Sequence, residues 1–457
     1  MEKHHHERST FSGKLGFVLS AAGASVGLGN IWRFPYLAAK YGGGIFLLIY
    51  IILALTFGYS MIVAETALGR TTRKSPVGAF GKFGKSKWLS FGGWINAIIP
   101  VLIVPYYSVI GGWVIKYLIE YIKGNSQKLA EDGYFSAFIS DGTSTEICFL
   151  VFALLTLAII FAGVRNGVER VSKFMMPILV FLSVLIAIYS VTRPGALAGV
   201  KYFLVPNPAN FSWMTVVAAM GQMFYSLSIA MGILVTFGSY MKRDVSIEDS
   251  TTNVEIFDTA IAIMAGLMII PAVFAFSGGD PDTLQAGPAL MFITIPKVFA
   301  NMGFGTPIGI IFFLLVLMAA LTSSIALTES AVSTFQDELR WPRKGATVIV
   351  GIIMVILGSL SSLGYGPLAF VKIIGMQFLD FFDFLTNSVM MPIAAFATCI
   401  LISRVIGVGK IEEEVEADGG SFKRKKVFRF MIRYLCPIFT VIILLSSVAN
   451  AFGWISM

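Results

Sequence analysis

The chain has 457 residues, 56% of them hydrophobic and only 13% charged, and its mean hydropathy is +0.81. Soluble domains carry far more charge for their apolar content, so this is the sequence of an integral membrane protein. Its net charge of +8 fits basic loops between spans and speaks against a nucleic-acid partner.

Cys148, Cys399 and Cys436 show no CxxC pairing or metal spacing and lie in or beside apolar runs, so buried thiols without redox or zinc chemistry are expected. His4, His5 and His6 belong to a short polar tail. The opening "MEKHHHERST" has no apolar signal core, which makes the first apolar run a retained span.

A helix rising about 1.5 Å per residue needs roughly 20 apolar residues to cross the hydrocarbon core. Eleven runs of that order fall at 13–38, 43–69, 89–119, 146–163, 168–191, 213–240, 256–276, 305–335, 345–363, 368–402 and 430–454. Placing the N-terminus in the cytoplasm puts 25 of the 34 basic residues in inside segments, which favours that orientation and leaves the C-terminus outside. The apolar stretch 283–304 is read as an external loop with short helices, punctuated by "SGGDPD" and "GFGTP", because a further span there would reverse the basic clusters "RWPRK" and "FKRKK". The first and sixth runs are interrupted alike, by "SVGLGN" and "SLSIAMG". That symmetry suggests an inverted 5+5 arrangement: spans 1–5 over 13–191, spans 6–10 over 213–402, and a peripheral eleventh at 430–454.

In the first run Gly27 and Gly29 lower the cost of non-helical backbone, and Pro35 removes a donor shortly after. Peptide groups freed within hydrocarbon cost several kcal/mol each unless something binds them. A dehydrated cation can take the carbonyls, and an anion can take amides at a half-helix N-terminus. A zwitterionic amino acid with Na⁺ satisfies both; a kink repaired by neighbouring helices is the alternative. Ser226 and Ser228 in the sixth run, and Thr322, Ser323 and Ser324 in the eighth, offer oxygens for a hard monovalent cation, or merely bond back to their own helices. Glu65, Asp258, Asp380 and Asp383 fall inside apolar runs, where carboxylates are costly and therefore paired or functional. Asp258, at the inner start of its run, could also be a solvated interfacial group, and Arg33 needs a partner.

The motifs "GNIWRFPYL", "YGGGIFLLIY", "ETALGR", "PYYSVIGGW", "GQMFYSLS", "ALTSSIA" and "DEL" occur in order over essentially the whole chain. On these the sequence resembles the neurotransmitter:sodium symporters, especially bacterial amino-acid members such as the leucine and multi-hydrophobic amino-acid transporters. The resemblance implies a first sodium site from the Ser25 carbonyl, Asn30, Ser226 and Asp258. A second would use Gly23 and Val26 carbonyls with Ala319, Thr322 and Ser323. The substrate carboxylate would meet the Gly29 amide beside Leu28 and the Tyr107 hydroxyl, and its amine carbonyls near Ala24, Tyr225 and Ser226. The side chain would lie among Ile103, Ser228, Met231, Ser324 and Leu327. Tyr107 and Tyr225 would form an outer lid beneath an Arg33–Asp383 pair, while Arg8 and Asp337, near Tyr240, would close the inside. Gly167 and Pro177 match the family's helix-unwinding pair.

Ala24 stands where monoamine carriers have aspartate, so the ligand should bring its own carboxylate. Asp258 and Ala262 stand where chloride-dependent members have asparagine and serine, and a fixed carboxylate there implies chloride independence. Ala230 replaces a common glycine and could trim the pocket. The expectation is sodium-coupled symport of a neutral, hydrophobic L-amino acid by a multi-pass plasma-membrane protein, for which a monomer suffices. A transport-dead amino-acid sensor and an ion channel are the alternatives. An enzyme is disfavoured, because no nucleophile with an adjacent base or metal cluster is present.

Overall fold

The computed structural model describes residues 9–84, 86–278 and 287–455. Arg8, the three histidines and most of "SGGDPD" lie outside the described residues. Apart from one antiparallel bridge between Ile373 and Met376, the regular structure among the described residues is helical. Among the described residues nine helices are long and apolar enough to cross a membrane: α3 (Gly44–Thr72), α4 (Lys87–Ile122), α5 (Gly142–Phe161), α6 (Val164–Val191), α9 (Ile247–Ser277), α10 (Gly305–Leu339), α11 (Arg343–Leu363), α12 (Phe378–Ile406) and α13 (Lys425–Ala451). A tenth crossing results if α1 (Lys14–Ser25) and α2 (Gly29–Lys40), bent by 55°, are taken as one. Between α6 and α9, after a short helix at Ala196–Leu204, come α7 (Trp213–Ser226) and α8 (Ile233–Tyr240).

Both interruptions sit where the sequence places them, and each has a local cause. After Ser25 the chain turns extended at Val26 (ψ 98°), passes Gly27 and rewinds at Gly29. Between α7 and α8, Ser228, Ala230 and Gly232 have φ of 53°, 60° and 69°. A left-handed L-residue costs about 1–2 kcal/mol, so Ser228 and Ala230 need holding. The Ala230 amide donates to Glu65 Oε1 on α3 at 2.8 Å, and the Ser228 hydroxyl donates to the Ala24 carbonyl at 3.1 Å. Glu65 thus fixes the second break to the scaffold.

Helix ends differ most from the apolar runs where packing overrides hydropathy. α9 begins at Ile247, well before the run at 256, because "IEDSTTNVE" is polar yet capped by Ser246, whose hydroxyl accepts from the Asp249 amide at 3.3 Å. The expected start of the tenth span at 368 is replaced by turns up to Gln377, since Gly366–Pro367 disfavours helix there and Ile374 and Gly375 have φ of 53° and 80°. α13 starts at Lys425, in basic residues that hydropathy alone leaves outside. The described part of the stretch 283–304, from 287 on, contains the short helix Leu290–Ala300. α4 and α10 pack along one another, with α1 set against α9 and α10, so the broken segments are enclosed by long, unbroken helices.

Candidate functional site

The two breaks border one small cavity of about 30 Å³, well below the volume of an open small-molecule site. Ala24, Ser25, Leu28 and Gly29 contribute from the first break, Tyr225, Ser226, Ser228 and Met231 from the second, and Ile103, Tyr107, Ser323 and Leu327 from α4 and α10. Every expected substrate-lining residue is therefore there except Ser324. Successive helical residues point about 100° apart, so with Ser323 at the cavity Ser324 turns to α5, where its hydroxyl lies 3.1 Å from that of Thr156. Gly27 and Ile233 also line the cavity, unanticipated by the sequence. Ala230 does not; it is fully buried behind the wall, so its methyl does not trim the pocket.

Close approach explains both glycines of the first break. A Cβ on Gly29 would meet the Tyr225 ring at 2.6 Å, and one on Gly27 the Ser323 hydroxyl at 2.7 Å. Freed amides find nearby acceptors: Gly27 donates to Asn30 Oδ1 at 3.2 Å and Leu28 to the Tyr107 hydroxyl at 3.3 Å. Gln222 Nε2 donates to the Gly29 carbonyl at 3.1 Å, tying α7 to α2.

Two oxygen-rich clusters flank the cavity. In the first, Asn30 Nδ2 donates to Ser226 Oγ at 3.0 Å and to Asp258 Oδ1 at 2.8 Å. The Ser226 hydroxyl lies 3.1 and 3.0 Å from the two Asp258 oxygens, and the Tyr50 hydroxyl donates to Oδ2 at 3.3 Å. Asp258 is 0% exposed and lies well inside α9, which rules out the solvated interfacial reading. The Ser25 hydroxyl bonds back to Ala21, leaving its carbonyl as the group available here. In the second cluster the Ser323 hydroxyl is 3.3, 3.1 and 3.3 Å from the carbonyl oxygens of Gly23, Ala24 and Val26. The Thr322 hydroxyl donates to the carbonyls of Met318 and Ala319 at 3.0 and 3.1 Å. Oxygens without soft ligands suit a hard cation, and among the described residues no group of His, Cys, Asp and Glu could hold another metal.

Tyr225 separates this site from a second cavity that Arg33 and Asp383 both line. These two form no ion pair: Asp383 accepts from Asn387 at 2.6 Å and Tyr106 at 3.3 Å, while the Arg33 guanidinium lies 5.3 Å from the Tyr225 ring centre. Elsewhere, Asp337 accepts from the Ser75 amide at 2.6 Å. The Tyr240 hydroxyl donates to Glu329 at 2.7 Å, whose carboxylate also binds Arg343 at 2.5 Å. Gly167 lies in a widened first turn of α6, Val164–Glu169, and the helix runs unbroken through Pro177. Gln222 and Tyr50 escaped the sequence reading. A glutamine in an apolar helix was a usable signal, whereas a tyrosine in "YGGGIFLLIY" gave none.

The model of the family described as Sodium:neurotransmitter symporter family matches residues 8–130 and 135–453. An uncharacterized sodium-dependent transporter of Bacillus subtilis, YhdH, is 34% identical over 96% of this chain and 97% of its own. A sodium-dependent transporter of Haemophilus influenzae is 32% identical over 99% and 100%. The mouse sodium- and chloride-dependent GABA transporter 2 is 27% identical over 90% of this chain and 75% of its own. Among solved structures, MhsT in complex with L-phenylalanine superimposes with a TM-score of 0.85 at 35% identity, covering 96% of this chain and 100% of that one.

Proposed function

The chain belongs to the sodium:neurotransmitter symporter family, a family of sodium-dependent membrane transporters and not of enzymes, and from that premise we propose that it carries a neutral, hydrophobic L-amino acid with two sodium ions by alternating access, independently of chloride. The observation that carries this reading is the pair of broken helices around one cavity, flanked on two sides by oxygen clusters. One ion takes the Ser25 carbonyl, Asn30, Ser226 and Asp258, together with the substrate carboxylate. The other takes the Gly23, Val26 and Ala319 carbonyls with Thr322 and Ser323. If substrate completes the first ion's shell, each raises the other's affinity by the same factor. Two charges moving down a potential release about 2.3 kcal/mol each per 100 mV, enough to concentrate substrate.

The carboxylate is received where the Leu28 amide and Tyr107 hydroxyl now meet, and the side chain lies on Ile103, Met231 and Leu327. The L-phenylalanine bound by MhsT favours a hydrophobic cargo class. Chloride independence rests on Asp258: three neutral donors, from Asn30, Ser226 and Tyr50, already converge on its carboxylate, and a second anion beside it would be repelled. The name of the mouse relative includes chloride; this fixed charge is the proposed reason for the difference.

Tyr225 with Arg33 and Asp383 serves as the outer gate, Asp337, Tyr240 and Arg8 as the inner one, and Gly167 with Pro177 as the place where α6 unwinds. Counting α7 and α8 as one crossing makes eleven, five plus five in inverted repeats and one peripheral, with the N-terminus cytoplasmic and the C-terminus outside. Uptake into proteoliposomes across an amino-acid panel tests the reading. Sodium-gradient-driven accumulation of hydrophobic amino acids, equal in chloride and gluconate, is expected. Uptake indifferent to sodium refutes the coupling, and a clear drop in gluconate refutes the chloride argument.

A further inference from the structure

The start of α13 carries a cluster that transport does not use. A shallow surface cavity there is lined by Lys423, Lys426, Phe430, Arg433 and Tyr434 among others, with no acidic residue in its wall among the described residues. Carboxylates from neighbouring elements neutralise the remaining bases of the segment. Arg424 pairs with Glu255 at 2.8 Å, Lys425 with Glu416 at 3.0 Å and Glu412 at 3.7 Å, and Arg429 with Glu412 at 2.7 Å. Glu248 is taken by the backbone amides of Lys423 and Arg424 at 2.6 and 3.2 Å. Lys423, Lys426 and Arg433 are exposed and form no side-chain hydrogen bond or ion pair among the described residues.

Lys426, Phe430 and Arg433 recur at steps of four and three, with Tyr434 four beyond Phe430, so charge and aromatic surface share one outward stripe. Phe430 and Tyr434 are 53% and 57% exposed. The terminal turns of a membrane-crossing helix pass through the headgroup layer, where rings and basic side chains meet lipid. Arg433 lies within electrostatic reach of Glu412 but without an ion pair, and a merely solvated loop has no reason to align cations lacking ion-pair partners with exposed rings. We infer that Lys423, Lys426 and Arg433 bind the phosphodiester headgroup of an anionic phospholipid whose acyl chains lie along Phe430 and Tyr434.

Native mass spectrometry of the detergent-released full chain, supplied with phosphatidylglycerol or phosphatidylcholine, tests this. A basic residue near an anionic surface strengthens binding about fivefold. Phosphatidylglycerol should therefore be retained preferentially, and the preference should fall about a hundredfold in K423Q/K426Q/R433Q and about fivefold in R433Q alone. It should persist in R340Q/K344Q, which neutralises exposed bases at the junction of α10 and α11. Equal retention of the two lipids by the unaltered chain overturns the inference. So does an undiminished preference in the triple or single variant, or an equal loss in R340Q/K344Q, which would mark a whole-protein charge effect.

Discussion

Replacing Asp258 with asparagine separates charge from geometry at the first ion cluster. The amide keeps the shape and can accept from Asn30 Nδ2, now 2.8 Å from Asp258 Oδ1, while Ser226 and Tyr50 can reorient their hydroxyls toward its new donor. The fold should survive and the lost quantity is one negative charge. At a separation of about 4 Å and an effective dielectric near 20, that charge attracts a sodium ion by about 4 kcal/mol. Desolvation of the carboxylate offsets part of this, so about 4 kcal/mol, or a thousandfold in affinity, is an upper bound. Sodium titration of substrate binding in detergent reads the effect directly. The half-saturating sodium concentration should rise by at least tenfold, the steepness of the titration should fall, and added chloride should restore part of the loss in D258N but change nothing in the original chain. An unaltered sodium curve in D258N would show that this carboxylate holds the breaks together without facing an ion.

Three further substitutions probe other parts of the site and its surroundings. Gly29→Ala places a methyl against the Tyr225 ring at 2.6 Å; overpacking of about 1–3 kcal/mol should weaken substrate binding several-fold while thermal stability changes little, and normal affinity would mean the ring is not a closed lid. Tyr107→Phe removes the acceptor of the Leu28 amide, so binding measured by calorimetry should weaken by about 1–3 kcal/mol; an unchanged constant argues against the carboxylate pose. Outside the spans, the Arg429 guanidinium hydrogen-bonded to Glu412 holds its carboxyl below the usual range. A depressed folded value stabilises fully above the unfolded one, about 4.3 for glutamate, and is lost as pH falls through the folded value. The melting temperature of the original chain should therefore fall more steeply than that of Glu412→Gln on acidification from about pH 5 to 3, and parallel curves would refute the coupling.

The breaks were legible because glycine and proline inside a long apolar run contradict the bilayer's demand for satisfied peptide groups, and both lie where "SVGLGN" and "SLSIAMG" placed them. Most cavity-lining residues followed from the motifs. Hydropathy failed at helix ends: α9 starts in "IEDSTT" because Glu248 and Glu255 find partners at Lys423 and Arg424, contacts far away in sequence. Ser323 and Ser324 look interchangeable in "ALTSSIA", and only the rotation of α10 decides which one reaches the cavity. Tyr50 could not be found at all, since nothing in its neighbourhood announces that its hydroxyl will meet Asp258.

A hydroxyl owns a single hydrogen, yet the one on Ser323 lies within reach of three carbonyls, those of Gly23, Ala24 and Val26. It can satisfy only one of them at a time. The loosened end of α1 is thus held by an interchange among near-equal partners, so the chain can pivot there by swapping acceptors without first rupturing a dedicated bond.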